Sequence, residues 1–125
     1  MPSPPLEPGA TAEQELETKP GMGVTHAGPV EMLSTPAMIG MMEGVCLRLM
    51  QGHLEEGQTS VGARVDVRHL APSPVGRPVR IKATFARIEG RRYIFEVQAF
   101  SGDTKIGEGI HERATIDPSR FKARG

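Results

Sequence analysis

After Gly57 the apolar residues of this sequence fall at every second position, and that spacing persists through successive runs. A period of two marks a strand with one face buried. Val61, Ala63, Val65 and Val67 alternate with Gly62, Arg64, Asp66 and Arg68. Pro72, Pro74 and Gly76 then give a loop. A second run, about Pro78 to Ile88, sets Val79, Ile81, Ala83 and Phe85 on one face, and Glu89-Gly90 signals a turn. The third run carries Tyr93, Phe95, Val97 and Ala99 on its inner face. Ser101-Gly102-Asp103 turns the chain into a fourth, about Lys105 to Ile116, which Pro118 ends. Gly107 and Gly109 within it predict a bulge or a close approach of backbones.

Ahead of these runs the spacing is helical. Met38, Ile39, Met42, Val45, Cys46 and Leu49 form the stripe of an amphipathic helix. Ser34-Thr35-Pro36 supplies two hydroxyls fit to cap it and a proline suited to its first turn, and Gly52 is a natural stop. Gly40 and Gly44 each cost roughly 1 kcal/mol in a helix interior. Four apart, they predict one side on which a backbone or a ligand packs closely. A short extended segment is expected around Met22 to Ala27. One extended segment, one helix and four strands joined mostly by tight turns predict an α+β domain, an antiparallel five-stranded sheet with the helix on one face.

At 125 residues the chain has room for one domain. Residues 1–21 hold five prolines and no aromatic, and read as a flexible arm before a domain at 22–118. Residues 119–125 form a basic tail. Fifteen basic and fifteen acidic residues cancel, which argues against nucleic acid held by counterion release. No run of 18 apolar residues spans a membrane, and the N-terminus lacks the apolar core of a signal peptide. One cysteine, Cys46, has no partner in the chain, which fits a reduced, cytoplasmic setting and gives no metal-ligand spacing. Phosphate-loop, dinucleotide, zincin and nucleophile-elbow motifs are missing from the sequence. A single helix leaves a sheet edge poorly covered, so a homodimer or a dimer of dimers is expected.

Three polar residues stand in apolar settings. Thr35 at the helix start reads as an N-cap. Glu43, two turns on, reads as a solvated helix glutamate. His69 shares its parity with Val61, Val65 and Val67, and a satisfied core histidine is the ordinary explanation for that placement. Facing one interior, however, a carboxylate and an imidazole can set up acid/base chemistry: Glu43 orients and charges His69 or attacks the carbonyl itself, and otherwise a hydroxyl or water is the nucleophile. The helix start beside Thr35 adds unpaired N–H groups for a developing oxyanion.

The segments LSTPAMIGMMEGV, SVGARVDVRHLAPSPVG and GEGIHERATID resemble those of the fluoroacetyl-CoA thioesterase group of hot-dog proteins, over Leu33 to Ile116. The resemblance implies a hot-dog fold, a sheet wrapped around a central helix, and hydrolysis of a short or small acyl-CoA thioester, with coenzyme A present only as part of the substrate. It implies a catalytic set of Thr35, Glu43 and His69, with Gly62 and Arg113 binding substrate. It also implies that two subunits pair sheet to sheet with coenzyme A along their interface. The basic tail reads as a solvated terminus, with contact to the coenzyme A phosphates as the alternative. The group's fluoroacetyl-specific member carries a phenylalanine lid before the threonine. Met22 to Ser34 contains no aromatic, and Pro29 stands where that lid would be sought, so fluoroacetyl selectivity is not implied.

Two further readings stand beside this one. A non-catalytic dimer that binds acyl-CoA would use Thr35 and Glu43 only as cap and surface. An enoyl-CoA hydratase of the same fold resembles an Asp–His pair near the start of the central helix, and no histidine lies between Thr35 and Gln51. His111 shares a face with Arg113 and Glu112 takes the other; surface charge or an ion pair between strands is the plain reading of these.

Overall fold

The computed structural model describes residues 4–120. Strand β1 (Thr11–Leu16) is followed by the short β2 (Gly23–Val24) and β3 (Met32–Leu33), then helix α1 (Thr35–Gln51). Four long strands complete the domain: β4 (Thr59–His69), β5 (Val79–Glu89), β6 (Arg92–Ser101) and β7 (Thr104–Ile116). β1, β5, β6, β7 and β4 lie side by side in that order as one antiparallel sheet, while β2 and β3 form a separate small ribbon.

Alternation decides which face is covered. Val79, Ile81, Ala83 and Phe85 of β5, Phe95, Val97 and Ala99 of β6 and Ile106 of β7 meet Met38, Met42, Val45, Cys46 and Met50 of the helix in one core. The Phe85 ring sits 5.5 Å from Phe95 and 5.6 Å from Tyr93, centroid to centroid. The sheet thus holds the helix against one face, which is the hot-dog architecture. Gly107 lets the two layers approach: a Cβ there would stand 2.5 Å from Met38 Sδ. At Gly109 a Cβ would run into the Asp66 carbonyl of β4. Both glycines serve close approach, and the register of β7 against β6 also shifts beside Gly107, between the Ala99↔Gly107 and Phe100↔Lys105 pairs, as a bulge there would require.

Four expectations change. The arm at 1–21 is not loose along its length: Thr11–Leu16 pairs with β5 from Thr84 to Val79, and Leu6 is buried. An edge strand needs only one lightly apolar face, and here Ala12 and Leu16 supply it while Glu13 and Glu15 stay exposed. The extended segment near Met22 shrinks to two residues of the small ribbon, so the fifth strand of the sheet is β1. On the helix, Met41 and Met50 are buried, whereas Ile39 and Leu49 are only half-buried. Among the described residues, a Cβ on Gly40 would meet nothing within 4 Å and one on Gly44 would meet only the Arg48 side chain of the same helix.

β4 also departs from simple alternation. Its register against β7 shifts between Gly62 and Arg64, the signature of a β-bulge. Ser60 and Gly62 face the helix side before the shift, through Arg113 and Glu43, and His69 faces it afterwards, through Thr35. One extra residue reverses the parity, so Val61 does not share a face with His69. Val61 and Val65 are 43% and 42% exposed on this edge strand, which the single chain leaves uncovered. Pro118–Arg120 forms a short 3₁₀ turn that takes in Ser119 and Arg120 of the expected basic tail; its remainder, residues 121–125, lies outside the described residues.

Candidate active site

Helix α1 begins with two hydroxyls and one capping position. Ser34, extended at φ −75° and ψ 153°, takes it: its Oγ accepts from the Ala37 N–H at 3.2 Å. Thr35, expected as the cap, is instead the first helical residue, and its hydroxyl is free to turn outward. It meets His69 Nδ1 at 2.8 Å. Met38 N–H bonds the Ser34 carbonyl and Pro36 has no N–H, so the Thr35 N–H is left as a first-turn donor without a partner among the described residues. The Thr35–His69 pair opens into a recess of about 480 Å³ walled by Val24, His26, Met32, Leu33, Leu70 and Pro72. His69 Nε2 is buried and lacks a hydrogen-bond partner among the described residues.

A second cluster forms around Gly62. A Cβ on this glycine would stand 3.1 Å from Glu43 Oε2 and 3.3 Å from His111 Cε1, so its bare backbone is what lets these groups converge. Arg113 lies beneath them. Its Nε donates to Ser60 Oγ at 2.8 Å, Nη2 to the Ser60 carbonyl at 3.0 Å and Nη1 to His111 Nε2 at 3.0 Å. Nη1 also lies 3.9 Å from Glu43 Oε2, a charge contact rather than a hydrogen bond. The Glu43 side chain keeps 38% of its surface open to solvent while that of Arg113 keeps 6%.

Electrostatics sorts these groups. Burial pulls the Arg113 guanidinium below its usual value, opposed by Cys46 and Glu43. Burial also lowers the His111 imidazole. Cys46, in the core beside both charges, is pushed up to about 12, chiefly by burial, and so stays a thiol rather than a nucleophile. Glu112, on the other sheet face, is held below the usual carboxylate range by Arg64 at 2.8 Å and Arg92 at 3.3 Å.

The structure therefore brings together Thr35 with His69, and Glu43 with Gly62 and Arg113. It does not join the two groups in one chain. Eight residues of helix separate Thr35 from Glu43, about 12 Å of rise. Seven residues of strand separate Gly62 from His69, roughly 23 Å. Glu43 thus does not orient the His69 of its own chain. Arg113, expected at the substrate, is buried with its donors engaged inside the domain. Ser60 is the member that sequence reasoning did not single out, and His111, read there as surface charge or part of an ion pair between strands, is instead buried and bonded to Arg113. The register pairing Gly62 with Arg113 puts Ser60 on the arginine's face, a signal that appears only once the strands are aligned.

A further groove of about 420 Å³ lies on the outer sheet face, away from both clusters, lined by residues of both charges such as Asp66, Arg68, Lys82 and Glu108. Among the described residues, no helix is long and apolar enough to cross a membrane.

Known proteins share this fold. A solved mutant of the fluoroacetyl-CoA-specific thioesterase FlK, in complex with fluoroacetate and CoA, superposes with a TM-score of 0.85 at 33% identity, covering 94% of this chain and 100% of that one. A Thermus thermophilus protein of the thioesterase superfamily gives a TM-score of 0.84 at 30% identity, covering 94% and 88% of the two chains. The fluoroacetyl-CoA thioesterase of Streptantibioticus cattleyicolor is 40% identical over 94 residues, 75% of this chain and 68% of that protein. The sequence model of the fluoroacetyl-CoA-specific thioesterase family matches residues 15–119, which reach from β1 past the end of β7 and contain both clusters. With Thr35, Glu43 and His69 set on this scaffold, the chain belongs to the fluoroacetyl-CoA-specific thioesterase family.

Proposed function

We propose that this protein, an acyl-CoA thioesterase, hydrolyses small acyl-CoA esters at two equivalent sites, each assembled from two copies of the chain. The observation that carries the chemistry is the 2.8 Å contact between Thr35 Oγ1 and His69 Nδ1, the spacing of a nucleophile and its base. His69 takes the hydroxyl proton as Thr35 Oγ1 attacks the thioester carbonyl carbon. The oxygen that gains charge lies near the unpaired Thr35 N–H and the positive end of α1. Collapse breaks the C–S bond, and the coenzyme A thiolate leaves with the proton held by His69. Glu43 then takes a proton from water, whose oxygen attacks the Thr35 acyl ester. Thr35 departs, the proton returns to it, and the free acid is released. The reaction as proposed draws on no cofactor beyond the coenzyme A of its substrate.

Glu43 reaches the ester only from a second chain, and β4 supports that reading. It is an edge strand of 11 residues with Val61 and Val65 exposed, an open template for antiparallel pairing with its own copy. A twofold axis near Val65 sets His69 of one chain opposite the Val61–Gly62 stretch of the other. Thr35 and His69 then meet Glu43, Gly62 and Arg113 across the axis. The aliphatic walls of the recess suit a small acyl group, and the absence of an aromatic between Met22 and Ser34 leaves fluoroacetyl selectivity outside the proposal. A free, buried Cys46 suits a cytoplasmic setting.

Release of coenzyme A thiol from acyl-CoAs running from acetyl to palmitoyl tests the reading. Turnover is expected on short members, falling by about 10²–10⁴-fold in His69→Ala and in Glu43→Gln. A loss of less than about threefold in both variants would overturn the assignment.

A further inference from the structure

His111 is a buried polar side chain, 1% exposed, and both of its ring nitrogens are engaged. Its partners settle its protonation. The Arg64 carbonyl, 2.9 Å from Nδ1, can only accept, so Nδ1 carries the proton. Arg113 Nη1, 3.0 Å from Nε2, can only donate, so Nε2 is bare. An arginine whose acceptor is a neutral imidazole is unusual: a carboxylate would hold it more tightly but would also neutralise it. Here the ring fixes the guanidinium without spending its charge, and Ser60 locks the opposite edge twice over. The remaining charge of Nη1 is directed at Glu43 Oε2, 3.9 Å away, over the gap left by Gly62.

We propose that His111 is a positioning residue of this site: held as the Nδ1–H tautomer, it orients Arg113 so that the guanidinium holds the Glu43 carboxylate in its working place. The inference rests on the functional reading above for the role of Glu43, but the tautomer and the hydrogen bond stand on geometry alone. His111 touches no substrate. It acts through Arg113, and its bulge-side partner, the Arg64 carbonyl, ties that action to the register of β4.

Two substitutions separate positioning from mere filling of the core. His111→Phe keeps a buried ring and removes the acceptor. His111→Gln places an amide oxygen close to where Nε2 stood and restores it. In steady-state kinetics, His111→Phe is expected to lose about tenfold or more in kcat with KM moved less than about threefold, and His111→Gln to recover most of that loss. In ¹⁵N NMR of the histidine-labelled wild-type protein at neutral pH, His111 is expected as a neutral ring with Nδ1 protonated and Nε2 bare. Full activity of folded His111→Phe would overturn the proposal. So would a His111→Gln as impaired as the phenylalanine variant, or a ring protonated at Nε2. If His111→Phe fails to fold, the glutamine variant and the NMR tautomer decide. Absence of turnover by the wild-type protein on the whole acyl-CoA panel would instead remove the functional reading, and the NMR result would still stand or fall on its own.

Discussion

Ser34 and Thr35 are neighbours with interchangeable-looking hydroxyls, yet the fold gives them separate tasks. Ser34 caps the helix, so Ser34→Ala is expected to cost about 1 kcal/mol of stability while turnover changes little. Thr35→Ala reverses the pattern: thermal unfolding stays near wild type, and turnover falls by about 10²-fold or more. Parallel melting curves and thiol-release assays check both. His111 adds a pH dependence. Its folded value lies below the ordinary 6.5, chiefly through burial, with Arg113 lowering it further and the Arg64 carbonyl, Glu43 and Glu112 opposing. Above that ordinary value the ring is neutral folded or unfolded. As pH falls below it, the unfolded chain binds the proton first and stability declines, until the folded ring is protonated too. The drop in melting temperature between roughly pH 7 and pH 5 is therefore expected to be smaller in His111→Gln than in wild type. Equal drops would contradict it.

At the scale of elements, the close approaches are the vulnerable points. Gly109→Ala forces a Cβ against the Asp66 carbonyl, where backbone rather than a flexible side chain must yield. A loss of about 1–3 kcal/mol in chemical unfolding is expected. Gly62→Ala meets only side-chain ends at 3.1 Å and 3.3 Å, so it is expected to fold and to lose turnover by displacing Glu43. The elements differ in how openly the sequence announces them. The alternating faces of β5 from Val79 to Phe85 and of β6 from Phe95 to Ala99 are legible residue by residue, although Ile94, buried beside Phe95, breaks the alternation at the start of β6. β1 is not legible in this way, because an edge strand closes its side of the core with little more than Ala12 and Leu16 between glutamates. The bulge in β4 was hidden as well, since it is set by what β7 places opposite and leaves no local mark. Of the three valines that share its parity in the sequence, Val61 does not place His69, because the bulge lies between them; Val65 and Val67, beyond the bulge, do. Thr35, Glu43 and His69 were thus legible as types and positions. Their division into two clusters was not, because it depends on distances along a helix and a strand that sequence spacing alone does not join.

For the whole molecule, the two clusters make sense as halves. In the proposed enzyme one chain supplies the Thr35–His69 pair at the end of β4, and Glu43 with its arginine support near the start of the same strand. The proposed twofold axis between those ends would join half-sites that one chain keeps apart. Val65, exposed near the proposed axis, is then an interface residue. Val65→Arg is expected to shift sedimentation from dimer to monomer and to lose turnover with it, whereas a monomeric variant at full activity would argue for a site within one chain.

The most direct test mixes two dead variants. His69→Ala and Glu43→Gln are unfolded together, refolded together and assayed for thiol release. In a shared site, each mixed dimer contains one doubly damaged site and one intact site, so about a quarter of wild-type activity is expected to return. In a site built from one chain, every copy carries a lesion, and the mixture would stay as inactive as its parts.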